Sequence, residues 1–208
     1  MEPVVLARVV LETPWVPVLT IVFLLTGLVC VGDLVIRRRG VPRDQAFSDA
    51  ELIDINHCVM SAAMILMAWL MVHGPVAWAQ VAIFGILVLA LLPGYGRARG
   101  RPERVDVLGH VTQNLAMIWM LAAMPTLMSE LGVGGGSGHA HGVAAAGAEP
   151  TPTPAWADMT NVVFVALSTA GALWWLYRAV TTSGHRLHLL SYGVMSAGMA
   201  TMLLLMNV

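Results

Sequence analysis

Apolar residues run along this chain in six stretches, near residues 15–36, 55–73, 76–94, 107–129, 157–177 and 187–206. Each is about 20 residues long, enough to cross a bilayer as a helix. In lipid a spanning segment must satisfy its own backbone groups, so helices are expected throughout. Within the second, fourth and sixth stretches the apolar face carries methionine at helical spacing. The sets are Met60, Met64, Met67 and Met71; Met117, Met120, Met124 and Met128; and Met195, Met199, Met202 and Met206. Steps of three and four residues put each set on one helix face. A histidine precedes each set: His57, His110 and His188.

The expected architecture is an all-α integral membrane protein with six transmembrane helices paired as three hairpins. Each hairpin is an apolar helix followed by a His/Met helix. Counted from the leading histidine, all three sets share methionines at +7 and +14. That places Met64, Met117 and Met195 in one layer. A second register is also open: Val59-Met60-Ser61-Ala62-Ala63-Met64 nearly recurs at 194–199, which sets His57 opposite Tyr192. A threefold internal repeat fits either register, and repeated hairpins are common in membrane transport folds. Residues 1–208 read as one domain. A Gly/Ala/Pro-rich segment at 132–155 reads as a flexible external loop, since its composition cannot bury a core. Ser48-Asp49-Ala50-Glu51 matches a capping box at the start of the second helix.

Composition strengthens the membrane reading. The chain is 58% hydrophobic and 11% charged, with mean hydropathy +0.76, against roughly 25% charged in an average soluble domain. It has no lysine, and ten of its eleven arginines follow the first, third and fifth stretches. By the positive-inside rule those loops are cytoplasmic, and both termini lie outside an inner (plasma) membrane. A net charge of −1 gives nucleic acid no electrostatic footprint. The first stretch begins with Glu2 and Glu12 and lacks a small-residue cleavage site, so it does not read as a cleavable signal. Cys30 and Cys58, one per helix end, give no disulfide framework.

Thioether and imidazole are ligand types that suit copper, thioether above all Cu(I). Three methionine faces turned to a common axis would offer soft ligands at every turn. Conduction needs such weak, repeated binding. The candidate copper ligands are His57, Met60, Met64, Met67, Met71, His110, Met117, Met120, Met124, His188, Met195, Met199 and Met202. Asp54 and Asp106 stand three and four residues before His57 and His110, on the same faces, where a carboxylate could orient a ligating ring. His185 and His188 have no such neighbour. In the external loop His139 and His141, with His73 on another outer loop, could capture an ion at the surface. Two facing histidines could hold a haem, but no bis-His spacing argues for it and haem is not expected. No carboxylate or arginine sits mid-span, which disfavours a proton-driven transporter. Phosphate-loop, nucleophile-elbow and Zn-protease motifs are absent, so the chain does not read as an enzyme.

The segments 109–124, 134–142 and 192–202 together resemble an actinobacterial family of multi-span membrane proteins catalogued as a domain of unknown function. Its pattern is a His-bearing start to the fourth span, Ala-Met repeats, a His/Gly loop and a Met-rich last span. The resemblance covers nearly the whole chain and implies an inner-membrane protein without an assigned activity. This chain has fewer loop histidines than that pattern.

Two functional classes follow. In one, the chain handles copper, as a Cu(I) conduit or a delivery/assembly factor. In the other it is a non-catalytic accessory subunit packed against a larger membrane complex, such as a respiratory one, with methionine used for adaptable packing. The direction of the methionine faces separates them: inward for copper, toward lipid or a partner for packing. The arginine pattern also makes a direct prediction. Cysteines introduced by Ala140→Cys and Gly100→Cys should react from outside and from inside respectively. Labelling of position 100 from outside in intact cells contradicts the orientation.

Overall fold

The computed structural model describes residues 15–42, 45–70, 74–127, 155–182 and 186–205, and among these the regular elements are all helices. In chain order they are α1 (Trp15–Arg38), α2 (Asp49–Trp69), α3 (Pro75–Arg97), α4 (Arg101–Leu127), α5 (Ala155–Thr181) and α6 (Arg186–Leu205). Local chemistry sets several boundaries. Gly40, with φ of 89°, follows the end of α1, in a conformation costly for other residues. Ser48 and Glu51 form the expected capping box, each satisfying a backbone N–H of the other. Gly74 takes φ of 63° and Pro75 opens α3, where the missing proline N–H costs nothing.

Five helices are long and apolar enough to cross a bilayer, which points to a multi-pass membrane protein. The exception is α4, whose first turns carry Arg101, Glu103, Arg104 and Asp106 and whose middle carries His110, Gln113 and Asn114. The last three are 1%, 2% and 0% exposed, so this polar face is covered by neighbouring helices. The termini and the 132–154 part of the external loop lie outside the described residues.

The helices pair as the three expected hairpins, α1–α2, α3–α4 and α5–α6. The inner helix of each hairpin also packs on the outer helix of the next: α2 on α3, α4 on α5, and α6 back on α1. The ring is therefore closed, with α2, α4 and α6 toward its centre. Each outer helix sends one phenylalanine into the core: Phe23, Phe84 and Phe164. Glycine admits two of the closest approaches. A Cβ at Gly198 would lie 2.7 Å from the Phe23 ring, and one at Gly109 would lie 2.8 Å from Trp175.

Ion pairs stitch the same helices at their arginine-bearing ends. Arg37 meets Asp54 at 3.4 Å and Arg38 meets Glu51 at 3.0 Å, tying α1 to α2. Arg97 ties α3 to Asp49 of α2, and Arg178 ties α5 to Asp106 of α4. His188 of α6 pairs with Asp33 of α1, closing the ring. At its far end the first hairpin is pinned by Trp69 Nε1 donating to Thr20 Oγ1 at 2.8 Å. Both cysteines are free thiols.

The α1–α6 closure yields a contest of known signs. Alanine outranks glycine in a helix by about 1 kcal/mol, but at Gly198 it would strike Phe23. Overpacking of this kind costs about 1–3 kcal/mol. Gly198→Ala should therefore lower the thermal midpoint of the detergent-purified protein, and in a Phe23→Leu background it should be neutral or stabilising. A rise in the parent background contradicts the packing.

Candidate functional site: a histidine pair above a methionine core

At the same level of the three inner helices, His57 (α2), His110 (α4) and Tyr192 (α6) meet. His57 Nε2 lies 3.2 Å from His110 Nδ1, so one imidazole donates to the other. His57 stacks on Tyr192, with centroids 4.4 Å apart and planes 10° apart. The other face of the cluster is closed by Trp175 of α5, stacked on His110 at 5.1 Å. Both imidazoles are at least 98% buried. The remaining nitrogen of His57, Nδ1, is 2.8 Å from the Met195 sulfur. One ring thus presents an imidazole on one edge and a thioether on the other.

The three inner helices run in the same direction and rise equally, about 1.5 Å per residue. One shared level therefore sets all the others. Moving from the arginine end, the next level holds Met60, Gln113 and Met195, and the following one Met64, Met117 and Met199. Met60, Met64, Met117 and Met199 are wholly buried and Met195 nearly so, in one cluster with Met67 and Met120. Met202 packs on its rim. This is the register of the 59–64 and 194–199 match, with Tyr192 opposite His57. The layer expected from +7 spacing, Met64, Met117 and Met195, is corrected to Met64, Met117 and Met199. The cause is that His188 does not belong to the histidine level. It lies one turn toward the arginine end and pairs with Asp33.

The carboxylates do not orient the histidines either. Asp54 faces Arg37, while Asp106 is held by Arg178 and by Trp174 Nε1 at 3.0 Å. Around the pair lies a polar belt missed by the sequence reading. Gln113 Nε2 donates to Ser196 Oγ, which donates to the Ser168 carbonyl at 2.8 Å. Asn114 Nδ2 donates to the His110 carbonyl at 2.8 Å. Asn56 is fully buried with neither amide atom hydrogen-bonded. Such groups are costly in an apolar interior and often mark functional sites. The near-repeat around Met60 and Met195 was the signal for Tyr192; nothing in the sequence marked Trp175.

Among the described residues, no three His, Cys, Asp or Glu side chains gather as a ligand set. A metal held here would lean on thioether sulfur beside the two imidazoles. Met71, His73, Met128, His139, His141, His185 and Met206 lie outside the described residues, as does the side chain of Met124.

A family model described as "Domain of unknown function (DUF5134)" matches residues 49–206. The chain belongs to that family. The DUF5134 match starts with the first residue of α2 and runs past the end of α6, so it contains all three inner helices. No curated protein and no solved structure matches the chain.

Proposed function

We propose that this DUF5134 protein handles copper in the plasma membrane, spanning it six times with both termini outside. The supporting observation is the position of His57, which has one ring nitrogen on His110 and the other on the Met195 thioether. A Cu(I) ion shared by the two imidazoles needs nitrogens about 3–4 Å apart, given metal–nitrogen bonds near 2 Å. The 3.2 Å spacing suits that. It leaves no room for a macrocycle between the rings, so a bare ion is favoured over haem. Rotation of His57 would hand the ion from nitrogen to sulfur and on to the Met64, Met117 and Met199 layer. A preference for soft thioether ligands selects Cu(I) over harder ions.

The buried methionine layers favour binding and hand-over to a partner, as in a delivery or assembly factor, above an open conduit. His139 and His141 would serve as the outer capture site. The accessory-subunit reading expects methionine faces turned to lipid or a partner, whereas these are buried within the bundle; methionine still fills cores well without a metal. That reading gives the imidazole pair no role, and that is where the two readings part.

Cu(I) titration under anaerobic conditions against a competing chelator tests the proposal. The parent protein should bind Cu(I), and His57→Leu should weaken binding at least ten-fold, the scale on which disturbing a metal site usually acts. Replacing Met64, Met117 and Met199 together by leucine nearly conserves volume and costs under about 1.5 kcal/mol per site. That variant should insert normally and also bind Cu(I) more weakly. Absence of Cu(I) binding by the parent, or equal affinity in all three, supports packing alone.

A further inference from the structure

A second feature lies off the central axis, between α4 and α5. There a cavity of about 290 Å³ has walls that include Val105, Leu108, Leu167, Ala170 and Trp174. Its size is at the lower end of small-ligand sites. Leu108 and Leu167 are 55% and 47% exposed, so on a membrane-spanning bundle this side opens toward lipid.

Gln113 and Trp175 also line this cavity, although they are only 2% and 1% exposed. Gln113 Oε1 and Trp175 Nε1 both lack a hydrogen-bond partner. The orientation of the Gln113 amide is fixed by its neighbours. Ser196 Oγ spends its proton on the Ser168 carbonyl and can only accept from Gln113. The amide NH₂ must face Ser196, which leaves Oε1 as an unused acceptor. The indole N–H is an unused donor. Both residues pack against Gly171: a Cβ there would lie 3.1 Å from Ser196 Oγ, 3.4 Å from Trp175 Cζ3 and 3.8 Å from Gln113 Nε2.

One buried acceptor and one buried donor, on two residues that line an apolar crevice, call for a single group that both donates and accepts. A hydroxyl does this with one atom, donating to Gln113 Oε1 and accepting from Trp175 Nε1. A charged head group is disfavoured, because the nearby Arg178 and Asp106 are already paired with each other. We propose that the α4–α5 crevice binds an uncharged, hydroxyl-headed amphiphile that enters from the bilayer, with Gln113 and Trp175 recognising its hydroxyl. This site does not depend on copper. It touches the histidine pair through Trp175, which stacks on His110.

The test uses the full chain in phosphatidylcholine vesicles with a long-chain alcohol that carries a photoreactive diazirine beside its hydroxyl. The methyl ether of the same compound, which cannot donate, is the comparison. Peptide mapping should find the alcohol on 105–113 and 167–175, with the ether labelling about five-fold less, the worth of one neutral hydrogen bond. Gln113→Leu should reduce alcohol labelling to the ether level. Trp175→Phe, which removes the N–H and keeps an aromatic ring, should also reduce it. Thr201→Val, in the separate groove between α5 and α6, should leave it unchanged. Equal labelling by alcohol and ether, or label spread evenly over the outer helices, would overturn the proposal. Either result would mean that water satisfies these two groups and the crevice holds only bulk lipid.

Discussion

The contact of His57, His110 and Tyr192 at one level is the constraint on which the rest of the bundle depends. Three parallel helices of equal rise have no freedom of register once one level is fixed. The small residues Ala63, Ala116 and Gly198 then fall at one height, and at Gly198 the backbone admits the Phe23 ring. Ser61, Asn114 and Ser196 likewise share a height, all buried. Slipping one inner helix by a turn would put a methionine against an imidazole ring and an aromatic against a serine. The polar contacts make such slips costly, because an unpaired polar group in an apolar interior loses several kcal/mol at most and about 1–3 kcal/mol in practice.

Soft and ionic interactions divide the molecule along its length. At the arginine end, charged pairs link α1 to α2, α2 to α3 and α4 to α5, and the His188–Asp33 contact links α6 to α1. Moving away from that end the pairs give way to the His/Tyr level, then to thioethers alone. In a bilayer, lipid tails are as apolar as the helices, so association rests on close packing and hydrogen bonds. Methionine suits such a core because its unbranched chain fills irregular gaps. Glycine at 109 and 198 lets rings from α5 and α1 approach the inner helices. The same design leaves two imidazoles and several amides buried where they are expensive, at the place where a ligand would contribute most.

Much of this was legible in the sequence because it follows from local periodicity. The hairpin pairing, the capping box at Ser48, and the convergence of the methionine faces all come from helical spacing and loop chemistry. Helix ends were less so: α2 begins at Asp49 and α4 at Arg101, several residues before their apolar stretches, because charged turns extend the helices beyond the hydrophobic part. The roles of Asp54 and Asp106 were misread for a related reason. Sequence proximity to a histidine on the same face competes with arginines from other helices, Arg37 and Arg178, whose approach only tertiary packing reveals. His188 was misplaced because it looked like the head of its stripe, whereas the repeated Val-Met-Ser-Ala segment carried the true register. Trp175 and the orientation of Gln113 depend wholly on how α5 lies against α4 and α6.

Copper K-edge X-ray absorption on the Cu(I)-loaded protein tests the central claim most directly. If His57, His110 and the methionine layers form one site, the spectrum should show Cu(I) in mixed coordination, with imidazole nitrogen and thioether sulfur both in the first shell. His57→Leu should lower the nitrogen share of that shell, leaving the His110 imidazole and thioether sulfur. Copper coordinated only by oxygen and nitrogen, or with no sulfur scattering, would contradict the account.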